Sequence, residues 1–336
     1  MRILVTGAAG FIGSNFVRHW VTEHPGDHVV ALDLLTYAGN RPNLVDVEDR
    51  ITFVQADIGD GPHVEQILRD EQVDTIVNFA AESHNSLAVV DPGRFFRTNA
   101  LGTQSLLEAA RRADVQRFHH VSTCEVYGDM ALDDPNPFTE ESPYRPRTPY
   151  NASKAAADHA VRAYYETFEL PITITNCSNN YGPYQFPEKV IPRFATLALD
   201  DQPLTLYAST QNRREWLHVL DHCRAIDLVL AEGRIGETYN VGSGIEANIA
   251  EIADLVLDTL GKPDDRKVIV PDRPGHDRRY LLDSTKLRDE LGWKPEIDWA
   301  EGARETIRWY ADNRAWWEPL RDRAPVIEDA WSSSGR

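Results

Sequence analysis

Two residues suited to acid–base chemistry, Tyr150 and Lys154, lie four positions apart in the chain. On a helix, residues at this spacing share one face, so the lysine ammonium would lie close to the phenol. A nearby, desolvated ammonium favours the phenolate and lowers the pKa of the tyrosine. Such a base can take a proton from a sugar or alcohol hydroxyl near neutral pH. Glu125, which follows Thr123 and Cys124, offers a second acid or base upstream.

A glycine-rich turn at the start of the chain predicts a dinucleotide site. An apolar run at residues 2–6 leads into this turn, and a helical pattern follows it. The turn contains Gly7, Gly10, Phe11, Ile12 and Gly13. Glycines between a strand and a helix let the backbone approach a pyrophosphate at the N-terminus of the helix. The spacing is G-x-x-G-x-x-G, so the position of the motif in the chain gives it its weight.

An acidic residue ends the second predicted strand. Asp33 follows residues 29–32 and lies 20 residues after Gly13. A carboxylate there can accept hydrogen bonds from both ribose hydroxyls and would repel a 2′-phosphate, so the expected cofactor is NAD rather than NADP. Asp57, near the end of the third predicted strand, is placed to face the adenine.

Strands and helices alternate through the first half of the chain. The predicted strands are 2–6, 29–32, 51–54, 75–79, 118–122 and 172–175, and the later helices are 62–71, 92–112 and 149–168. The pattern predicts an α/β fold: a doubly wound, parallel Rossmann sheet with a smaller C-terminal substrate-binding α/β lobe. Ligands of such sheets bind at the carboxyl ends of the strands, where Ala80, Ala81 and residues 122–125 would lie.

The regular alternation breaks after residue 176, where a polar, turn-rich segment predicts a functional loop. We assign residues 1–176, with about 215–242, to an NAD-binding domain. Residues 177–214 and 243–325 would form the substrate-binding lobe, and residues 326–336 a disordered tail.

Composition argues against several classes of function. A net charge of −18 lacks the basic footprint that general nucleic-acid binding requires. No apolar run reaches the roughly 18 residues of a membrane span, and no signal-peptide region precedes the first strand, so we expect a cytoplasmic protein. Cys124, Cys177 and Cys223 lack metal-ligand spacing, so neither a metal site nor a disulfide framework is expected.

Four segments carry a resemblance to a known family. They are AAESH at residues 80–84, TNCSNNYGPY at 175–184, FPEK at 186–189 and DRPGHDRRY at 272–280. With these motifs the chain resembles the extended short-chain dehydrogenase/reductases over about residues 1–315. The last three segments are the narrower ones, and through them it is most similar to the dTDP-glucose 4,6-dehydratases.

The resemblance implies a permanently held NAD and a reaction on a nucleotide diphosphate sugar. Tyr150, with Lys154, would take the proton of the C4 hydroxyl while hydride passes from C4 to NAD, and Thr123 would hydrogen-bond the same oxygen. Glu125 would then remove the C5 proton of the 4-keto intermediate. Loss of the C6 hydroxyl and return of hydride to C6 would leave a 4-keto-6-deoxy sugar.

The resemblance also implies further contacts. For the cofactor it adds Ile58, Ser83 and Asn99. For the substrate it implies Ser83, His84, Thr123, Asn179, Lys189, Arg214, Asn248, Arg273 and His276, among which arginine and lysine suit the phosphates. Relatives dimerise through two long helices of each chain, so helices 92–112 and 149–168 predict a homodimer.

Cys124 departs from the family pattern, which has aspartate where this chain reads STCEVYG at residues 122–128. That aspartate is the proposed acid for the C6 hydroxyl. A free thiol stays protonated near pH 7 but is a weak hydrogen-bond donor, and losing a general acid typically costs about 10²–10⁴-fold in rate. Cys124 is compatible with a slower dehydratase, a different timing of protonation, a different product, or a tolerated substitution in an ordinary dehydratase.

Three functions stay open at this point. The first is a nucleotide-sugar 4,6-dehydratase acting on dTDP-glucose. The second is a sibling reaction through the same 4-keto intermediate: 4-epimerisation, 5,6-elimination without hydride return, or decarboxylation of a uronate. The third is a dinucleotide-sensing binding protein without catalysis, against which the intact Thr123, Glu125, Tyr150 and Lys154 argue.

Overall fold

The computed structural model describes residues 1–272 and 275–323. Its strands are β1 (Arg2–Thr6), β2 (His28–Asp33), β3 (Ile51–Gln55), β4 (Thr75–Asn78), β5 (Arg117–Thr123), β6 (Ile172–Cys177), β7 (Asn179–Tyr181), β8 (Leu204–Tyr207), β9 (Arg213–His218), β10 (Thr238–Val241), β11 (Glu246–Asn248) and β12 (Lys267–Val270).

The α-helices are α1 (Phe11–Glu23), α2 (Gly61–Asp70), α3 (Asn85–Val90), α4 (Pro92–Phe95), α5 (Thr103–Arg112), α6 (Pro149–Phe168), α7 (Val190–Leu199), α8 (Val219–Glu232), α9 (Ile249–Leu260), α10 (Thr285–Leu291), α11 (Trp299–Asp312) and α12 (Arg314–Arg321). Shorter 3-10 segments span Arg41–Arg50, Cys124–Tyr127 and Asp264–Arg266, and a π-helical segment spans Phe96–Gly102.

A parallel sheet of seven strands, ordered β10-β6-β5-β4-β1-β2-β3, forms the main layer. Alternate residues of β1 face opposite sides: Leu4 packs in a core with residues of α2, α5 and α6, whereas Ile3 and Val5 pack in a core with residues of α1 and α8. Both faces are therefore covered by helices, as the apolar strands require. The predicted doubly wound Rossmann sheet is confirmed.

A second core lies outside this sheet. It gathers buried residues of α7, α9 and α11 with Leu204, Leu206 and Trp216. Two small sheets accompany it, one ordered β11-β9-β7 and one that pairs β12 with β8. Residues 215–218, which we assigned to the NAD-binding domain, pair in β9 with β7 and β11, and Trp216 packs into the second core. Helix α8 does lie against α1 of the large sheet.

The predicted helix 92–112 is helical throughout, but its middle is widened into the π segment Phe96–Gly102. A π segment adds a residue to one turn and re-aims the side chains there, often near functional sites. Here it places Asn99 in the interior, 1% exposed, while its neighbour Thr98 reaches the cavity described below.

Within residues 1–272 and 275–323, no helix is both long and apolar enough to cross a membrane. Cys124, Cys177 and Cys223 are free and buried. The predicted tail at 326–336 lies outside the described residues.

Candidate active site

A cavity of ≈ 380 Å³ opens at the carboxyl ends of the central strands. Its lining includes both the glycine turn after β1 and the side chains Thr123, Glu125, Tyr150 and Lys154. Segments 79–85 and 177–189 supply further lining residues. The carboxyl ends of parallel strands meet at one edge of a sheet, so this cavity collects residues far apart in sequence.

The glycine turn is built so that side chains cannot fit. Gly7 has φ +64, and a Cβ there would lie 2.7 Å from the backbone N of Ala80. A Cβ on Gly13 would lie 2.2 Å from the carbonyl oxygen of Gly7. Both positions therefore require glycine, and the bare backbone leaves room for a ligand to approach the N-terminus of α1.

The structure brings nearly all predicted cofactor residues into this lining. The lining contains Gly7, Gly10, Phe11, Ile12, Gly13, Asp33, Asp57, Ile58, Ala80, Ala81, Ser83, Tyr150 and Lys154. Asn99 lies outside it among the described residues. Its amide nitrogen donates to the carbonyl oxygen of Glu82 at 3.0 Å and to Ser153 Oγ at 2.9 Å, so it holds the 80–85 segment in place.

Asp33 is fixed at the end of β2 by two backbone hydrogen bonds. Its carboxylate accepts from Ala9 N at 2.9 Å and from Leu35 N at 2.7 Å. Burial raises the pKa of Asp33, and these two hydrogen bonds oppose that rise. A carboxylate has about four acceptor sites, so Asp33 keeps capacity for ribose hydroxyls.

Helix α6 positions the tyrosine and the lysine. It begins after Thr148, whose Oγ1 accepts from Asn151 N at 3.2 Å, and Pro149 is its first residue. Tyr150 therefore lies in the first turn and Lys154 one turn later, and both side chains line the cavity. Lys154 Nζ donates to the carbonyl oxygen of Val121 at 2.8 Å, which ties α6 to the end of β5.

The pKa of Tyr150 moves opposite to the direction that the spacing alone predicts. Burial and then the Glu125 carboxylate raise it well above its ordinary value, and a hydrogen bond with Thr123 opposes the rise. Burial also lowers the pKa of Lys154. The prediction was wrong for the protein side chains by themselves because it counted the lysine charge and omitted the cost of burying the phenolate.

Glu125 and Thr123 reach the cavity because the chain leaves β5 in a 3-10 turn. Thr123 Oγ1 accepts from Glu125 N at 3.3 Å at the start of that turn. Asn85 Nδ2 lies 3.4 Å from Glu125 Oε2, so α3 contributes a donor to the same carboxylate.

Cys124, between them, points away from the cavity. It is 1% exposed and packs with Val126, Tyr127, Ala155, Tyr280 and Leu282. Burial raises the pKa of its thiol well above the ordinary value, and the Glu125 carboxylate adds to the rise. The thiol therefore stays protonated across the physiological range, but it lies behind the lining rather than in it.

Three predicted substrate residues line the cavity besides Thr123: Ser83, Asn179 and Lys189. Lys189 Nζ donates to the carbonyl oxygen of Ser83 at 2.8 Å and lies 3.3 Å from Glu188 Oε1. This contact closes the cavity between the 80–85 segment and the loop before α7.

The other predicted substrate residues lie outside this lining. His84 accepts from Leu87 N at 3.2 Å and caps α3, and Asn248 caps α9 by accepting from Glu251 N at 2.9 Å. Arg214 donates to the carbonyl oxygens of Arg213 and Asp277 at 2.7 Å and 2.8 Å. His276 lines a separate surface cavity. Arg273 lies outside the described residues.

Sequence reasoning missed several polar residues of the lining. Asn85 Oδ1, Ser178 Oγ and Gln185 Oε1 are buried oxygens without a hydrogen-bond partner in the described structure. Buried polar atoms normally have partners, so these oxygens suit a polar ligand. Ser178 lies inside a quoted motif, which was a usable signal. Gln185 gave none.

Comparison with known proteins bears on these features. Residues 4–306 match the family model described as GDP-mannose 4,6 dehydratase. The chain belongs to this family. A dTDP-glucose 4,6-dehydratase of Xanthomonas campestris pv. campestris is 49% identical over 346 residues, covering 97% of this chain and 97% of that protein.

Two crystal structures have the same fold as this member of the 4,6-dehydratase family. The dTDP-glucose 4,6-dehydratase of Streptomyces venezuelae, with NAD and dTDP bound, has a TM-score of 0.92 at 50% identity, covering 95% of this chain and 100% of that one. The UDP-glucose 4-epimerase of Thermus thermophilus, in complex with NAD, has a TM-score of 0.86 at 33% identity, covering 93% of this chain and 100% of that one.

Proposed function

We propose that this chain is an NAD-dependent nucleotide-sugar 4,6-dehydratase that converts dTDP-glucose to its 4-keto-6-deoxy product. The observation that carries the proposal is the grouping of Thr123, Glu125, Tyr150 and Lys154 in the lining of one cavity together with the glycine turn. The relatives at about half identity that bear this activity in their names support the choice of reaction.

The residues present fit NAD. The side-chain-free turn at Gly7 and Gly13 would hold the pyrophosphate, and Asp33 would accept from the ribose hydroxyls. When bound, oxidised NAD supplies a hydride acceptor and a positive charge near the catalytic side chains. That charge and Lys154 would together favour the Tyr150 phenolate against the effect of burial.

Tyr150, Thr123 and Glu125 would each handle a different proton or oxygen of the substrate. Tyr150 would take the proton of the C4 hydroxyl, and Thr123 would hold the same oxygen. Glu125 would remove the C5 proton once C4 is a ketone, because a neighbouring carbonyl acidifies that position. Lys189, at the end of the 177–189 segment, lines the cavity and offers its positive charge to a phosphate.

The departure of water is the step that this chain supports least well. The Cys124 thiol is protonated but lies behind the cavity wall, and thiols are weak donors. We infer that elimination at C6 limits the rate. The same observation favours one second candidate, a sibling reaction through the 4-keto intermediate that keeps the C6 oxygen, such as 4-epimerisation. The similarity to the UDP-glucose 4-epimerase structure adds support to that alternative.

The test is a product assay with a panel of nucleotide hexoses, read by NMR. A 4-keto-6-deoxy product from dTDP-glucose supports the proposal. A product that keeps its C6 hydroxyl overturns it in favour of the sibling reaction. Tyr150→Phe is the control, and we expect it to lower kcat by about 10²–10⁴-fold.

We also propose a homodimer formed through residues 92–112 and α6. Phe96, Leu101 and Phe168 on these segments are 40%, 63% and 49% exposed, and several exposed large apolar side chains on neighbouring helices suit a helix-bundle interface. Sedimentation of the wild type and of Leu101→Glu tests this. A wild-type monomer at micromolar concentration would contradict it.

A further inference from the structure

A buried polar array lies behind Lys154, on the side away from the cavity. His120 Nε2 lies 3.4 Å from Lys154 Nζ and 3.4 Å from Asp158 Oδ1. His120 and Asp158 are both 0% exposed. Neither side chain lines the cavity, and the proposed proton transfers use neither.

Helix α6 aligns this array with the catalytic pair. Tyr150, Lys154, Asp158 and Arg162 follow one another at intervals of four residues, so they form one stripe along the helix. Lys154 thus has the phenol one turn before it and a carboxylate one turn after it. A buried ammonium is costly unless it is paired, and Asp158 is the carboxylate that this stripe offers.

Asp158 is held rigidly. Its Oδ2 accepts from Ser122 Oγ at 2.8 Å and from Tyr144 OH at 2.9 Å. Arg162 reaches the same Tyr144 oxygen at 3.0 Å. The carboxylate is therefore fixed by partners on β5 and on the loop before α6, and its second oxygen is left to face His120.

The tautomer of His120 follows from its other neighbour. Asn78 Nδ2 lies 3.1 Å from His120 Nδ1, and Asn78 Oδ1 accepts from Thr6 Oγ1 at 2.6 Å. With its oxygen occupied in this way, the amide donates to Nδ1, which leaves the proton of the neutral ring on Nε2. Nε2 lies 3.4 Å from both Lys154 Nζ and Asp158 Oδ1, so the imidazole ring stands between the ammonium and the carboxylate.

Charges in the array agree with this reading. Burial and then the Lys154 charge lower the pKa of His120 to about 4, although Asp158 opposes the fall, so the ring is neutral near pH 7. Burial raises the pKa of Asp158, whereas its hydrogen bond with His120 and the Lys154 charge lower it. The net effect is a decrease. Burial lowers the pKa of Lys154, and Asp158 is the first group that opposes this.

We propose that Asp158 is a positioning residue which, oriented by His120, serves as the buried counter-ion that keeps Lys154 charged for the Tyr150 base. The role in catalysis rests on the proposed function. The effect on Lys154 does not, because it is a property of the folded protein. Of Lys154, His120 and Asp158, only Lys154 lines the cavity, so Asp158 acts through Lys154.

Other titratable groups face the array as well. They are Arg162, Tyr144 and Tyr127 around Asp158, and His119 and Cys177 on β5 and β6. Burial raises the pKa of both tyrosines and of Cys177 and lowers that of His119, so these four are neutral near pH 7. Arg162 stays charged, and along α6 Asp158 lies between Arg162 and Lys154.

The test compares Asp158→Asn with Tyr144→Phe. Both remove a hydrogen-bond partnership inside the array, but only Asp158→Asn removes the charge. Without the carboxylate the ammonium is less favoured, so we expect the pKa of Lys154 to fall by about one unit. The chain has six lysines, so ¹³C labelling at the lysine ε-carbon, assigned with Lys154→Ala, follows this titration directly.

The catalytic readout is the pH profile of kcat on dTDP-glucose. The alkaline limb, where Lys154 loses its proton, should move to lower pH by the same amount in Asp158→Asn and stay in place in Tyr144→Phe. The position of the limb does not depend on how much protein is folded, so loss of stability does not imitate the result. An unmoved Lys154 titration in Asp158→Asn, or equal shifts in the two variants, would overturn the proposal. If the Lys154 titration shifts in Asp158→Asn but the wild type does not turn over dTDP-glucose, the proposed function is overturned instead.

Discussion

At the scale of single residues, burial disfavours the charged forms of the catalytic side chains, and neighbouring charges must offset this effect. Tyr150 is buried beside the Glu125 carboxylate, and both raise the pKa of its phenol. A phenolate near neutral pH therefore needs positive charge placed next to it, which Lys154 supplies and a bound nicotinamide would add to. The acid–base pair that the spacing suggests becomes effective only as part of this larger arrangement.

Cys124 is the residue at which the proposed reaction is weakest, and Cys124→Asp tests it. The thiol lies behind the cavity lining, so an aspartate there supplies an acid for the C6 oxygen only when its longer side chain turns toward the cavity. With that rotation we expect kcat on dTDP-glucose to rise about tenfold or more. The thermal midpoint should fall, because the carboxyl would enter a cluster of apolar side chains.

Cys124→Ser is the matched control, since it changes the side chain by one atom without adding a carboxyl group. We expect no gain in kcat from it. If Cys124→Asp also shows no gain while folding normally, the missing acid is not what limits this enzyme, and the sibling reaction becomes the better account.

At the scale of elements, the strand–turn–helix unit at β1 and α1 is the clearest structural requirement. A Cβ at Gly13 would lie 2.2 Å from a backbone oxygen, whereas one at Gly26 would meet nothing within 4 Å. We expect Gly13→Ala to lose copurifying NAD, measured by absorbance after denaturation, and Gly26→Ala to retain it. Equal NAD content in the two variants would remove the glycine turn from the cofactor site.

Part of this scale could be predicted from residues. The strand-to-helix turn, the position of Asp33 and the long helix at Tyr150 follow from local pattern. The burial of Cys124 between Thr123 and Glu125 does not, because the chain leaves β5 there in a 3-10 turn. The π segment at 96–102 could not be predicted, because it depends on tertiary contacts of Asn99. The same holds for the buried partners Asn78 and His120, which meet only across neighbouring strands.

At the scale of the whole molecule, one buried carboxylate joins distant segments of the chain. Glu215, on β9, accepts from Gly244 N at 2.6 Å and from Leu282 N at 3.0 Å. Burial raises the pKa of Glu215 to about 7, although these backbone hydrogen bonds oppose the rise. A carboxyl whose pKa is raised on folding contributes stability at low pH that is lost as the pH rises through the folded value.

We therefore expect the wild type to lose stability relative to Glu215→Gln between about pH 5 and about pH 8. The measurement is the thermal midpoint of both proteins across that range. Glu232→Gln, at an exposed position of α8, is the control and should run parallel to the wild type. A constant difference between wild type and Glu215→Gln at all pH values would contradict the assignment.

Fold class at this scale was accessible from the alternation of strands and helices. The sheet to which β9 belongs could not be predicted, because β7, β9 and β11 are short and pair across long stretches of chain. Register between such segments is set by packing around Trp216 rather than by local sequence.

The central claim is that one cavity oxidises C4, eliminates water and returns the hydrogen to C6. The most direct measurement uses dTDP-glucose carrying deuterium at C4, with the product analysed by NMR and mass spectrometry. The account predicts a 4-keto-6-deoxy product that carries the deuterium at C6. A product with the deuterium back at C4 and the C6 hydroxyl intact, or with no deuterium at C6, would contradict it.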